Sequence, residues 1–367
     1  MTLINKNWCE MDKVYIIAEA GVNHNGEREL AFALVDAAAA AGADAVKFQT
    51  FDAERLASRN APKAAYQKAS TDAQESQLAM LKKLELPRAW HSELQAYAAS
   101  RSIEFLSTAF DSQSLEFLVG MNLPLFKVPS GELTNGPLLW QFAKTGKPLV
   151  VSTGMATLAE VEQGLAIIAH ALRFDRQPNG MEEVWRNWAD SEARARLNGH
   201  VTLLHCTSQY PTPFEEVNLR AMDTLASAFG LDVGYSDHTQ GCLIPLAAVA
   251  RGARLVEKHF TLDRSMAGPD HAASLEPAEL ARMVSDIRSL ELAMGNGQKA
   301  PQPSEWDTRI AARQQVLAAR DIECGATLCL DDFTTARCGG GLAPTAIWDL
   351  VGRQAVRSYR CGERIDS

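Results

Sequence analysis

The residues of this chain best equipped for chemistry close short apolar runs. Those runs end in Glu19, in Lys47-Phe48-Gln49, in Ser107-Thr108, at Lys127, in Ser152-Thr153, at His205, in Ser236-Asp237-His238 and in Glu257-Lys258-His259. Lys47 and Lys127 bring two positive charges, and Thr108, Ser130 and Ser152 add hydroxyl donors. Gly131 and Gly154 let backbone N–H groups approach a ligand closely. Together they predict a phosphate clamp, because a multiply charged anion needs several fixed donors in a partly desolvated place. Taken alone, each lysine could equally serve in an ion pair with a neighbouring carboxylate.

His238 and His259 lie one strand–helix unit apart, which predicts neighbouring strand ends about 5 Å apart in backbone terms. Imidazoles with open positions suit a catalytic divalent ion such as manganese, magnesium or cobalt, and the residues alone do not choose among them. The plainer role for each is that of a hydrogen-bonded core histidine. His24 and His205 are expected to support or pack. Glu19 closes the otherwise apolar run Val14–Ala18 and is placed to act as general base toward water or a substrate hydroxyl; its other role is pairing with Lys47.

What must position these residues is an alternation of strands and helices. Candidate strands are Val14–Ala20, Asp44–Gln49, Ile103–Ser107, Leu125–Val128, Pro148–Ser152, Val201–His205, Asp232–Tyr235 and Arg254–Lys258. Amphipathic stretches such as Glu27–Ala41, Ser114–Met121, Leu158–Leu172 and Leu243–Arg251 lie between them. Eight strand–helix units predict a (β/α)8 TIM barrel, whose active site forms at the C-terminal strand ends. No GxGxxG opens a helix, as a doubly wound dinucleotide fold would require. The Ala-rich run Ala31–Ala43 reads as a helix packed tightly on the barrel and stopped at Gly42. Phe174–Gly199 reads as a polar insertion in which Trp185 and Trp188 pack locally. The barrel is expected over 1–294, a linker over 295–311 and a small β-rich domain over 312–367.

With 36 Lys and Arg against 45 Asp and Glu, the chain carries a formal charge of -9. It has no basic stripe, so nucleic acid is not an expected partner. No apolar run is long enough to span a bilayer, and Met1–Lys13 lacks the apolar core of a signal peptide. Seven scattered Cys without a CxxC pair fit reduced cytoplasmic thiols rather than a disulfide frame.

The blocks Ile17–Gly26, Ala45–Phe51, Ala61–Gln67, Glu75–Leu78, Lys127–Glu132, Ser152–Met155, His205–Pro213, Ser236–Thr239, Glu257–Phe260 and Gly268–His271 resemble the sialic acid synthase family. The resemblance runs from the first strand to near the C-terminus. It implies an enzyme that condenses phosphoenolpyruvate with an N-acylated mannosamine-type sugar, typically N-acetylmannosamine giving N-acetylneuraminate, and releases inorganic phosphate. A legionaminic acid synthase using a di-N-acetylated 6-deoxymannose-type sugar is the alternative. The resemblance further implies a β-clip, antifreeze-like (SAF) C-terminal domain and a domain-swapped homodimer. It assigns Lys47, Thr108, Lys127, Ser130 and Ser152 to phosphoenolpyruvate, His238 and His259 to the metal, and Glu19 to water or the sugar. Gln49, Tyr210, Ser236, Asp270 and Arg337 fall to the sugar. Ser208, standing where the family often has Asn, faces the substrates. Arg337-Cys-Gly-Gly-Gly341 departs from the usual Arg-Pro-Gly-Asn-Gly and loses the proline's stiffening. A Schiff-base aldolase using Lys47 or Lys127, a related barrel synthase with an aldose phosphate acceptor and a non-catalytic sugar-binding protein are the rival readings.

Overall fold

The computed structural model describes residues 13–72 and 74–366; Cys9 and the polar stretch before Lys13 lie outside them. The chain divides after Gly295 into two compact units. The first holds eight strands: β1 (Tyr15–Gly21), β2 (Ala45–Thr50), β3 (Glu104–Ala109), β4 (Phe126–Val128), β5 (Leu149–Ser152), β6 (Val201–His205), β7 (Asp232–Asp237) and β8 (Leu255–His259). All eight expected strands are present, with ends moved by no more than two residues. Their order is β3-β2-β1-β8-β7-β6-β5-β4, and every paired neighbour is parallel. β3 and β4 adjoin at the two ends of that order, so the sheet curls into a nearly closed barrel.

Alternation along the strands sorts side chains into two environments. Tyr15, Ile17, Ala45, Leu106, Leu125, Val150, Leu204 and Leu255 form one apolar cluster inside the barrel. The residues between them face the helices and join the large outer core, among them Ile16, Val46, Phe48, Phe105, Val151, Leu203 and Val256. Each fully buried aliphatic or aromatic side chain contributes about 1.5–3 kcal/mol. At Gly234 on β7 an added Cβ would stand 2.4 Å from the Leu255 carbonyl oxygen and 2.6 Å from Leu204 Cδ2. Only glycine lets the strands close there.

The helices follow from local signals. Arg28–Ala40 buries Ala31, Leu34, Val35 and Ala38 against the barrel, and the chain leaves it through Gly42 at φ +78°. Leu158–Arg173 is started by a reciprocal cap, with Glu160 N donating to Thr157 Oγ1 and Thr157 N donating to Glu160 Oε2. The insertion forms the helices Met181–Trp188 and Ser191–Ala195. Val184 is buried, and Trp188 Nε1 donates to Glu162 Oε1 at 2.8 Å, while Trp185 is half-exposed. No helix among the described residues is long and apolar enough to cross a membrane.

The stretch 295–311, expected as a linker, carries a short 3-10 turn at Pro303–Glu305 and most of a helix, Trp306–Ala312. Pro303 fixes the first φ of that turn. The C-terminal unit has less regular strand than a β-rich module implies. It contains one antiparallel pair, β9 (Gln314–Ala318) with β10 (Phe333–Arg337), and bridges at Leu317–Arg364, Ile322–Tyr359 and Thr327–Gln354. Its core gathers Val316, Ala318, Ile322, Leu328, Leu350, Ala355, Tyr359 and Ile365. The glycine loop that lacks the proline is tied down by buried Gln315, whose Oε1 accepts from Cys338 N at 3.1 Å.

One buried ion pair lies on the helix-facing side of the sheet. Lys258 Nζ meets Asp237 Oδ2 at 2.5 Å, both side chains are fully buried, and the Thr239 carbonyl accepts a second bond from the same ammonium. Removing one partner strands a charge, which typically costs about 3–5 kcal/mol. Lys258→Ala is expected to lower the unfolding free energy of the barrel by that amount, read from its denaturant midpoint. Arg186→Ala, which breaks an exposed pair with Glu182, is expected to leave the midpoint within error.

Candidate active site

Two positions further along each inward-facing register, the apolar layer gives way to a polar one. Ile17 is followed by Glu19, Ala45 by Lys47, Leu106 by Thr108, Leu125 by Lys127, Val150 by Ser152, Leu204 by Cys206 and Leu255 by Glu257. β7 adds Ser236. One step higher stand Gly21, Gln49, Gly154, Ser208, His238 and His259. The barrel thus converts a period of two in sequence into stacked rings at its mouth.

The polar ring is closely bonded. Lys47 Nζ lies 2.5 Å from Glu19 Oε2 and 3.3 Å from Glu257 Oε2, and it donates to Thr108 Oγ1 at 2.9 Å. Lys127 Nζ donates to Glu257 Oε1 at 2.8 Å and Oε2 at 3.1 Å. Ser236 Oγ donates to Glu257 Oε1 at 2.7 Å, and Gln49 Nε2 donates to Glu19 Oε1 at 3.3 Å. None of these four charged side chains is more than 6% exposed. The ion-pair role foreseen for each lysine is present, and both ammonium groups converge on the mouth. Ser130 Oγ accepts from Gly154 N at 3.1 Å and lies 3.3 Å from Cys206 Sγ. Ser152 Oγ is buried without a protein partner, as a donor meant for a ligand would be.

The two carboxylates are driven apart. Burial raises the Glu19 carboxyl above its ordinary value, and Lys47 only partly offsets it. Burial also acts to raise Glu257, but Lys127 and Lys47 overcome it and hold that group well below the carboxylate range. Such divergence separates a proton-exchanging group from a fixed charge. Asp270 is pushed up to about 7 by burial, with the charge of Glu19 adding.

His238 and His259 have ring centroids 5.4 Å apart. The Tyr210 ring stacks 4.1 Å from His238 and stands edge-on to His259 at 5.5 Å. His238 Nδ1 donates to the Thr207 carbonyl at 2.6 Å, which leaves Nε2 as a lone-pair donor. His259 Nδ1 is buried without a hydrogen-bond partner, 3.9 Å from Asp270 Oδ2. Burial holds both rings neutral, His238 at about 4 and His259 well below its ordinary value. Among the described residues no group of three or more His, Cys, Asp or Glu forms a ready-made metal cage. Two neutral imidazoles with free nitrogens fit an ion held with its other positions open to water or substrate.

Of the residues singled out from sequence, Glu19, Lys47, Gln49, Thr108, Lys127, Ser130, Ser152, Ser208, Tyr210, Ser236, His238, His259 and Asp270 belong to this mouth. Arg337 ends β10 in the C-terminal unit, exposed and in register with Gln314. His205 packs instead: its Nε2 bonds the Val217 carbonyl. His24 accepts from Gly26 N through Nδ1 and is likewise a packing residue. Asp237, one of the polar residues expected at the end of its strand, points away to Lys258. Cys206 was not foreseen at the mouth, and Glu257 was read only as one of the polar residues closing the eighth strand. Strict alternation would have found both, because each lies two residues past an inward leucine.

The NeuB family model matches residues 34–299. The chain is 45% identical over 355 residues to the N,N'-diacetyllegionaminic acid synthase of Campylobacter jejuni, covering 97% of this chain and 99% of that protein. It is 43% identical to the enzyme of the same name from Legionella pneumophila, covering 95% and 92%. The crystal structure of N-acetylneuraminic acid synthetase from Leptospira borgpetersenii superposes with a TM-score of 0.67 at 32% identity, covering 84% and 94%.

A methyl group at position 154 would test the polar ring. An added Cβ would lie 2.4 Å from Ser208 Oγ, 2.8 Å from Ser130 Oγ and 3.0 Å from Cys206 Sγ. Gly154→Ala is expected to push these groups aside and raise the KM for the anionic substrate at least tenfold, with an unchanged thermal midpoint. An unchanged KM would remove Gly154 and Ser130 from the anion site.

Proposed function

The chain belongs to the NeuB family of phosphoenolpyruvate-dependent synthases, and from that membership we propose that it condenses phosphoenolpyruvate with a di-N-acetylated 6-deoxymannose-type sugar. The product is an N,N'-diacetyllegionaminic acid, released with inorganic phosphate. The observation that carries the choice of sugar is near-full-length identity to two synthases of that name, well above the identity to the N-acetylneuraminic acid synthetase structure. This replaces the expectation of N-acetylmannosamine as acceptor.

In this reading Lys47 and Lys127 carry the charge that meets the phosphate. The Thr108, Ser130 and Ser152 hydroxyls and the Gly154 N–H complete the clamp. His238 and His259 would hold a divalent ion, manganese first, which would supply Lewis acidity for carbonyl activation. Gln49, Ser208, Tyr210, Ser236 and Asp270 orient the sugar, and Arg337 reaches its N-acyl group from a partner subunit of a homodimer. The methylene carbon of phosphoenolpyruvate bonds to the aldehyde carbon, and the aldehyde oxygen becomes a hydroxyl by taking the proton held by Glu19. Water adds to the cationic carbon left beside the phosphate oxygen and gives its proton to Glu19. The tetrahedral intermediate then breaks its C–O bond to phosphate, its hydroxyl proton passes to the phosphate oxygen, and the keto group is left. Lys47 and Lys127 stabilise the departing dianion.

Phosphate release from phosphoenolpyruvate should depend on the acceptor. The di-N-acetylated 6-deoxymannose-type sugar is expected to give a kcat/KM at least tenfold above that of N-acetylmannosamine in manganese buffer. A preference for N-acetylmannosamine would overturn the choice of sugar. Borohydride is expected to trap no covalent adduct, since a trapped lysine would instead support the aldolase.

His238→Ala and His259→Ala are each expected to lose manganese-dependent turnover and to bind less manganese, measured by calorimetry without substrate. Full activity of both variants in metal-free buffer would sink the metal assignment.

A further inference from the structure

The clamp contains a charge that neither its phosphate role nor the mechanism above uses. Glu257 Oε1 accepts from Lys127 at 2.8 Å and from Ser236 at 2.7 Å. Its Oε2 accepts from Lys127 at 3.1 Å and faces Lys47 Nζ at 3.3 Å. A single carboxylate therefore spans both ammonium groups, as a phosphate would. Its strand is paired on both sides, to β1 and to β7, and its side chain is only 4% exposed.

We propose that Glu257 is a positioning residue that stands in for phosphate between the two lysines and then competes with it. Two ammonium groups in a nearly water-free barrel would repel each other and adopt scattered rotamers. Glu257 holds them in one geometry, both facing the same carboxylate. When phosphate arrives with a charge of about −1.5 to −2, it must share those ammonium groups with a fixed carboxylate. Like charges across a short gap weaken the phosphate complex, and they do so for substrate and product alike. Tight, uniform binding would lower KM without raising turnover. Glu257 thus trades phosphate affinity for phosphate release. The idea rests on the reading of Lys47 and Lys127 as the phosphate ligands.

The test is calorimetric titration of inorganic phosphate into metal-free protein, with steady-state and burst kinetics on the manganese-loaded enzyme. Glu257→Gln keeps the shape and removes the charge. It is expected to bind phosphate at least tenfold more tightly than the wild type. Its kcat and its KM for phosphoenolpyruvate should both fall, with a product burst showing that release has become limiting. Glu257→Asp keeps the charge but withdraws it by one methylene, and is expected to tighten phosphate binding about threefold. If the glutamine variant does not fold, judged by circular dichroism, the aspartate variant decides. Phosphate affinity that is unchanged or weaker in the deciding variant overturns the proposal. Wild-type protein that neither binds phosphate nor releases it from phosphoenolpyruvate would overturn the clamp itself, a result separable from the first.

Discussion

The constraint on which the site depends is charge neutrality in a nearly dry barrel. Lys47, Lys127, Glu19 and Glu257 project from four different strands into one buried ring. An unpaired charge there would cost several kcal/mol, so the two positive groups an anion requires are tolerable only because two carboxylates answer them. That balance carries a chemical consequence. The carboxylate that bridges both lysines is held ionised, and the one that faces a single lysine is not held as firmly. A difference in the number of partners becomes a difference in role: Glu257 is a fixed charge and Glu19 a group able to exchange a proton.

Neighbouring residues on the same strands serve the fold rather than the chemistry. Asp237 and Lys258 sit between Ser236 and His238, and between Glu257 and His259, yet they point outward and pair under the helices. A one-residue slip of β8 would put Lys258 in the mouth and Glu257 under the helices. The outer ion pair therefore helps fix the register on which the inner ring relies. Gly234 contributes to the same end, since the close approach of β7 to β8 fits no side chain there.

Most of this architecture was legible in the sequence, because a barrel strand writes its two faces into alternate positions. The eight apolar runs and their polar ends located the mouth. What was lost came from reading each strand end as a cluster instead of alternating within it. Glu257-Lys258-His259 looked like three candidates, where the fold uses the first and third and buries the second elsewhere. Asp237 was misplaced for the same reason. The C-terminal unit was less legible, as its backbone is held mostly by bridges and turns that leave little periodicity. The helix Trp306–Ala312 hid behind the Gly, Pro and Gln residues that precede it.

The two ends of the mouth differ in how they are built, and this bears on what the fold can vary. The lysines, Thr108, Ser152 and both glutamates stand on strands, where the ladder fixes each Cα to its neighbours. Ser208, Tyr210 and Asp270 stand on the connections that follow β6 and β8, which can change length and sequence without disturbing the barrel. Chemistry that needs sub-ångström placement of charge is thereby confined to the rigid part. The residues proposed to orient the acceptor stand in the part that tolerates substitution. A serine at 208 is small, and it touches the space over Gly154. A larger side chain at that position would crowd Gly154 and, through it, Ser130, so the loop after β6 and the polar ring meet at this one residue.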